Sequence, residues 1–505
     1  MEQAGPRATA LVTGASGFIG HHLVQFLLKD HDVIACGRRP QKEIGLKPHP
    51  NLQWVLVDLT NGAQLDKVFK SITSKHTIHF IFHLAAYYDF GDQVYSEIYE
   101  KTNVGATRQL LELARGINPK RFIFSSSLVV SKFPQEGDLV SENSPADATY
   151  PYAITKRKAE ELVRSYSKNF PCSIVRLGAV YSDWCEYEPL YHFLKVWLSD
   201  RWDSSILPGR GSMAIPYIHI CCVVDLFIRI LNNTESLGPL NVFLASSDEP
   251  ISLKKLFQLS TRHFSGQEKA PVFLPGWLVR IGIVYRDIWG RLQGKRPFER
   301  LWMTAYLDQT LPTDCSYTRN VLGWHPKPRH QLPRRLLHLI ENMKAQPEKW
   351  HQMNIHRLLR NQATRPSLIL GEEMVQMHET LVDRIFAGIM DPSKQTVLPF
   401  YQNLAPEELR WYISVVYNHL LTSVRHGDRS IMITFAQDVS HRQLQESVSL
   451  DELCKALTII RDVITESLYH NPKLSSLKLL VHDYITLAIQ LAIDEIKDIY
   501  ENVPR

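Results

Sequence analysis

One stretch near the start, Ala10 to Leu28, constrains this chain more than any other. The apolar run Ala10-Leu11-Val12 leads into Thr13-Gly14-Ala15-Ser16-Gly17-Phe18-Ile19-Gly20, after which Leu23, Val24, Leu27 and Leu28 recur on one helical face. Strand, glycine turn and helix in immediate succession are the context a dinucleotide-binding unit requires. Gly14 permits the tight turn, Gly17 lets backbone approach a pyrophosphate, and Gly20 lets the helix pack closely on the strand. The first N–H groups of that helix then point at the phosphates. Thr13, Phe18 and Ile19 complete the candidate cradle.

The pattern continues as alternating strands and helices. Asp32 to Gly37 reads as a second buried strand, and Arg38-Arg39 follow it. An acid at this point hydrogen-bonds the adenosine ribose of NAD, whereas an arginine pairs with the 2′-phosphate of NADP. Arg38 therefore favours NADP(H) as cofactor over NAD(H), although two arginines can also simply open a solvated loop. Leu52 to Val57 is a third strand ending at Asp58-Leu59, where the carboxylate can accept from an adenine amino group. Ile78 to Leu84 is a fourth, and the small residues at its end, Leu84-Ala85-Ala86, leave room for a cofactor to cross the strand tips. Asn103 opens a helix, and Arg121 to Phe124 forms a fifth strand leading into Ser125-Ser126-Ser127. Such alternation implies an α/β, Rossmann-type, doubly wound parallel sheet.

Downstream, Tyr152 and Lys156 are one helical turn apart, on one face. The Lys156 ammonium can lower the Tyr152 pKa, making the phenolate a usable base while a serine hydroxyl orients the substrate oxygen. With these residues assembled, the sequence resembles the extended short-chain dehydrogenase/reductase family, also called the NAD-dependent epimerase/dehydratase family. The resemblance runs from about Ala8 to Gln346 through TGASGFIG, Asp58-Leu59, HLAA, the Asn103 helix, FSSS, YAITK and Ser173 to Tyr181. It implies that Ser127 is the catalytic serine, with Ser126 the alternative one register away. It further implies that Tyr152 is the acid/base and that Lys156 tunes Tyr152 and holds the nicotinamide ribose. The implied enzyme is an NAD(P)-dependent oxidoreductase acting on a small-molecule alcohol or carbonyl. Two alternatives remain: a nucleotide-sugar epimerase or dehydratase with tightly bound NAD, and a nicotinamide-sensing regulator.

Departures begin where the family sets substrate specificity. Sugar-nucleotide members carry an arginine and an acidic pair after the Pro-Gly turn; here the arginine position falls at Ile215 or its neighbour and the acidic pair on Cys221-Cys222, with Asp225 just beyond. Isoleucine cannot clamp a phosphate. Those losses, with Arg38, resemble the reductase-like branch that acts on apolar alcohols or ketones. His219 reads as a structural histidine lacking ligand partners, and Cys221-Cys222 as buried thiols, so no metal is expected. The resemblance implies that Ser252 to Gly323 supplies the small substrate lobe, whose aromatics around Pro275-Gly276-Trp277 read as core. Asp314, Tyr317 to Leu322, Gly323-Trp324 and Pro326 resemble the family's closing signature, followed by a last amphipathic helix from Gln331 to Met343.

Past Trp350 the strands stop. This places a dehydrogenase/reductase domain over 8–346 and a separate all-α domain over 351–505. Expected helices cover about Gly371 to Ile389, Pro406 to Leu421, Arg429 to Glu446, a fourth capped by Ser449 and Glu452, and Ser475 to Tyr500. The fourth region resembles the helical, globin-like N-terminal domain of stressosome-type sensor proteins, which implies sensing, a homodimer or a protein partner. His378, His419, His441 and His482 lie in these helices without metal spacing.

Composition narrows the rest. The formal charge of +5 comes without basic runs interleaved with aromatics, which argues against nucleic acid. Seven scattered cysteines without CxxC pairs suit a reducing cytoplasm. Neither a signal-peptide profile nor an apolar run of membrane-spanning length is evident, so no membrane partner is expected.

Overall fold

The apolar runs become seven parallel strands. They are β1 (Thr9–Thr13), β2 (Asp32–Gly37), β3 (Leu52–Leu56), β4 (Phe80–His83), β5 (Arg121–Ser127), β6 (Cys172–Leu177) and β7 (Leu240–Ala245). The computed structural model describes residues 7–502 except 92–94, 96, 248, 293–296, 362–365, 393–397, 427, 447, 472–473 and 475–476. Across the sheet the order is β7-β6-β5-β4-β1-β2-β3. Thr13 of β1 therefore pairs with Cys36 on one side and His83 on the other. Strand order reverses between β1 and β4, and the crevice at such a switch point, outside the carboxyl ends, is where open parallel sheets take their ligands.

Helices cover both faces, as continuous apolar strands require. On one face lie α1 (Phe18–Leu27), through Leu23, Val24 and Leu27, and the helix Ile220–Asn232, through Val223, Phe227 and Ile230. On the other, the helices Gly62–Thr73, Ala106–Ile117 and Pro151–Tyr166 bury Leu65, Phe69, Leu110, Leu111, Ala159 and Val163. Each fully buried leucine or valine contributes roughly 1.5–3 kcal/mol.

The Asn103 helix departs from its expected form. It begins at Glu97 and passes through a π turn, Glu100–Gly105, before the regular helix Ala106–Ile117. Asn103 is buried in that widened turn. Its Oδ1 accepts from Tyr87 N at 2.7 Å, and its Nδ2 donates to Tyr87 O at 2.9 Å and Thr155 Oγ1 at 3.0 Å. Such a bulge re-aims a side chain, here toward the segment after β4.

The small lobe contains short strands as well as the expected helices. Ile206–Pro208 pairs with Val272–Leu274, Ala214–Ile215 with Ile251–Ser252, and Ala179–Tyr181 with Tyr217–His219. Its helix Gly276–Leu292 overturns the expectation that the lobe's aromatics are core. Trp277 is 63% exposed, Tyr285 67% and Trp289 53%, with Ile281 and Ile288 exposed beside them. Helical periodicity defines an apolar stripe but not what covers it.

The chain divides into two compact units, Met1–Asn361 and Gln362–Arg505. The boundary falls beyond the change of pattern at Trp350, because the helix Pro347–Asn361 is anchored in the first unit. Trp350 is buried in the lobe core, and Asn354 accepts from Glu186 N and donates to Trp184 O, both at 2.8 Å.

The second unit is helical around one core that includes Leu381, Ile385, Ile413, Leu420, Leu457 and Ile489. The helix expected over Gly371 to Ile389 is instead two, Pro366–Gln376 and His378–Met390. The Tyr417 hydroxyl donates to Met374 O at 2.6 Å and satisfies an acceptor at the break. Ser449 caps Leu450–Tyr469 by accepting from Glu452 N at 3.2 Å, but the Glu452 carboxylate bonds Phe400 N rather than closing the box. The last helix is not continuous: Lys478–Val481 passes through a π turn, His482–Thr486, into Leu487–Asn502, and Ser475 lies outside the described residues. Of the four histidines, His419 and His482 are exposed, His378 pairs with Glu379, and the His441 side chain lies outside the described residues. Among the described residues, no helix is long and apolar enough to cross a membrane.

Candidate active site

At the end of β1 the glycine turn takes the expected shape. Gly14 has φ +71°, and a Cβ there would sit 2.7 Å from Ala85 N. A Cβ on Gly20 would lie 2.3 Å from Gly14 O, so only glycine lets α1 approach the turn this closely. Gly17 caps α1 with extended backbone and, as glycine, offers no side chain to the helix N-terminus. Leu84 and Ala85 are half-buried and Ala86 is exposed at the neighbouring strand tip. The arrangement fits a dinucleotide phosphate in the glycine turn.

The remaining cradle residues divide. Phe18 and Ile19 lie half-buried in the first turn of α1. Thr13 turns inward: its Oγ1 bonds His83 Nδ1 at 2.7 Å, and His83 Nε2 bonds Thr107 Oγ1 at 2.8 Å. Burial, with the nearby Lys156 charge adding, pushes His83 down to about 3 and keeps it neutral. Arg38 is exposed and, among the described residues, makes no hydrogen bond or ion pair, whereas Arg39 Nη2 donates to Ser16 O at 2.8 Å. Asp58 Oδ1 accepts from Thr60 N at 2.9 Å and Thr60 Oγ1 at 2.8 Å, and Leu59 is buried behind it.

The helix α2 (Pro151–Tyr166) is fastened to the end of β5 by three bonds. Tyr150 Oη donates to Val129 O at 3.0 Å, Lys156 Nζ to Ser125 O at 2.6 Å, and Ser126 Oγ to Glu160 Oε1 at 2.6 Å. They bring the first turn of α2, with Tyr152, alongside the three serines. Ser125 Oγ is spent on His83 O and Ser126 Oγ on Glu160. Among the described residues the Ser127 hydroxyl bonds nothing, and its half-buried position keeps it accessible.

Lys156 lies one turn further along α2. It is buried, it lies 4.4 Å from the Phe124 ring, and its bond goes to Ser125 O, with none to Tyr152. Burial lowers the Lys156 ammonium to about 7 against an upward pull from Glu160. Burial also raises the Tyr152 phenol above its ordinary value, with Tyr99 adding to the rise. Between about pH 7 and the ordinary lysine value, the unfolded chain therefore holds more protons than the folded one at Lys156. Stability rises with pH across that window through this group, and Lys156→Met is expected to flatten the rise in urea melts run from pH 7 to 10.

Two features escaped the sequence reading. One is the buried Glu160–Arg176 pair beneath Ser126, with Nε to Oε1 at 3.0 Å and Nη2 to Oε2 at 2.9 Å. The other is a wall of aromatic rings. The Tyr88 ring packs 4.4 Å from Tyr152 and 4.5 Å from Phe90, and Phe90 continues to Tyr187 and Phe298. The run Tyr87-Tyr88-Asp89-Phe90 directly after HLAA was the available signal.

Elsewhere the structure corrects two expectations. His219 does have partners: Nε2 lies 3.3 Å from Asp183 Oδ1, and its ring stacks 4.7 Å from His330. Cys221 is exposed rather than buried, while Cys222 is buried as expected. Ile215 is half-buried in its short strand.

Comparison with known proteins places this geometry in a family. The model of the NAD dependent epimerase/dehydratase family matches residues 10–245. An uncharacterized UDP-glucose epimerase of Bacillus subtilis is 30% identical over 229 residues, which are 42% of this chain and 69% of that protein. The chain belongs to the NAD dependent epimerase/dehydratase family. A dTDP-D-glucose 4,6-dehydratase of Dictyostelium discoideum matches this family member at 29% identity over 276 residues, 50% of this chain and 62% of that one. A UDP-glucose 4-epimerase of Pisum sativum matches at 32% over 173 residues, 32% of this chain and 48% of the relative. The chain thus spans about half to three fifths of those two relatives. The solved UDP-glucose 4-epimerase of Thermotoga maritima superposes with a TM-score of 0.52 at 21% identity, covering 67% of this chain and 100% of that one. It shares the epimerase/dehydratase fold.

Proposed function

We propose that this chain transfers a hydride between NADP(H) and an alcohol or carbonyl on an apolar small molecule. The observation that carries the reading is the free Ser127 hydroxyl at the end of β5, beside a helix that presents Tyr152 against an aromatic wall. In this reading the glycine turn and the first turn of α1 hold the dinucleotide phosphates. Arg38, exposed just after β2, takes the 2′-phosphate of the adenosine ribose. Bound there, the nicotinamide would supply or accept the hydride. Ser127 donates to the substrate oxygen and holds it toward Tyr152, which gives or takes the proton at Oη. Lys156 lies beneath, held by Ser125 O, and contributes its charge in the protonated form that burial confines to below about pH 7. Tyr88, Phe90 and Tyr187 bound the substrate side and exclude water.

A second reading, a nucleotide-sugar epimerase or dehydratase with tightly held NAD, draws on the named activities of the relatives. Ile215 weighs against it, because a diphosphate there meets no guanidinium. The nucleotide retained by the gel-filtered protein separates the two: near-stoichiometric NAD after denaturing extraction would favour the second reading. For cofactor choice, Arg38→Ala is expected to weaken NADPH binding roughly 10- to 100-fold, the worth of one charged hydrogen bond. NADH binding should change little. Fluorescence titration of both cofactors checks this, and equal losses would remove Arg38 from the 2′-phosphate.

A further inference from the structure

We propose that His219, Cys221 and His330 form a site for one divalent ion of the zinc type. These residues each offer one ligand atom, and the three atoms lie within 4.8 Å of one another. Zinc bonds of about 2.0–2.1 Å to nitrogen and 2.3 Å to sulfur place tetrahedral ligands roughly 3.3–3.8 Å apart, so the set needs to close by about 1 Å. Two imidazoles and a thiolate form a donor set of intermediate softness, suited to zinc and poorly suited to magnesium or calcium.

The surroundings supply an independent argument. His219 Nδ1 accepts a long bond from Cys221 N at 3.3 Å, so its lone pair points to the start of the helix Ile220–Asn232 and an ion bound there would take the place of that bond. His219 Nε2 faces Asp183 Oδ1 at 3.3 Å, so the carboxylate fixes the tautomer that presents Nδ1 as ligand. Metal-bound histidines characteristically give their second nitrogen to a carboxylate in this way. Asp183 is itself held by Arg335 through two bonds of 2.5 Å and by Asn342 Nδ2 donating to its backbone carbonyl at 2.9 Å. On the other side, His330 O accepts from Tyr181 Oη at 2.7 Å, and His330 Nδ1 lies 3.7 Å from Cys222 Sγ. His219 is thus placed by Asp183 and the His330 backbone by Tyr181, while the Cys221 side chain and the His330 ring supply the closure. Cys221 is exposed and His330 half-exposed, so the ion can enter from solvent and keep a fourth position for water.

An ion here would clip the end of the strand Tyr217–His219 to the turn Pro328–His330 that precedes the helix Leu332–Ala345. Cobalt(II) is the probe. Full-length protein, stripped with a chelator and titrated with Co2+, should show one equivalent bound, with a thiolate-to-cobalt charge-transfer band and the visible bands of a tetrahedral ion. Zn2+ should abolish both. Cys221→Ser should remove the charge-transfer band while Cys222→Ser keeps it, and His330→Ala and Asp183→Asn should each weaken binding at least tenfold. Absence of a one-equivalent band in the unsubstituted protein, or its survival in Cys221→Ser, would overturn the assignment. Because Cys221 is exposed, the serine variant should melt with the unsubstituted protein when both are metal-free.

Discussion

Tyr152→Phe is expected to lower turnover by roughly 10²- to 10⁴-fold, the usual contribution of a positioned acid/base, while nicotinamide nucleotide binding changes less than threefold. The substitution removes one oxygen and keeps the ring that packs on Tyr88. Among the described residues that oxygen bonds nothing, so its loss strands no partner and the melting temperature should hold or rise. A fall in kcat without a fall in nucleotide affinity would place Tyr152 in the chemical step. Equal losses in turnover and in thermal stability would instead mark it as a packing residue.

The second large effect concerns stability. Glu160→Ala should destabilise the first unit by about 3–5 kcal/mol, because it leaves a buried guanidinium without its carboxylate. Among the described residues Arg176 would keep its bond to Ser144 O at 2.7 Å alone, and Ser126 would lose its acceptor beside Ser127. Replacing both charged residues together, Glu160→Leu with Arg176→Met, should recover much of the loss, since an apolar pair of similar volume removes the desolvation penalty. Urea unfolding of the three variants decides this. A loss below about 1 kcal/mol for Glu160→Ala would mean that water replaces the carboxylate, as at an exposed pair.

The contrast between these two residues shows what could be read from the chain. The spacing of Gly14 and Gly20 in a turn, and of Tyr152 and Lys156 along one helix, is local, and such spacing is visible in a sequence. Choosing Ser127 over Ser126 needs Glu160, a partner on another element, because adjacent strand residues point to opposite faces. The partners of His219 are hidden for the same reason: Asp183 and His330 come from other elements and meet it only in the folded lobe. Asn103 was placed at a helix start, but the π turn that aims it at Tyr87 depends on tertiary hydrogen bonds. The stripe containing Trp277, Tyr285 and Trp289 had the right period and the wrong environment. In the second unit, apolar periodicity marked the helices, and the break at Met377 escaped it because the stabilising hydroxyl belongs to Tyr417.

The central claim is that the glycine turn, Ser127 and Tyr152 work as one hydride-transfer site. Full-length protein should be incubated with NADPH deuterated at the transferring carbon, together with a panel of apolar ketones and aldehydes, and the products examined by mass spectrometry. The account predicts alcohols carrying one deuterium, at a rate that collapses in Tyr152→Phe. Protein that binds NADPH yet leaves every carbonyl unlabelled, or labels it equally well without the Tyr152 hydroxyl, would contradict it.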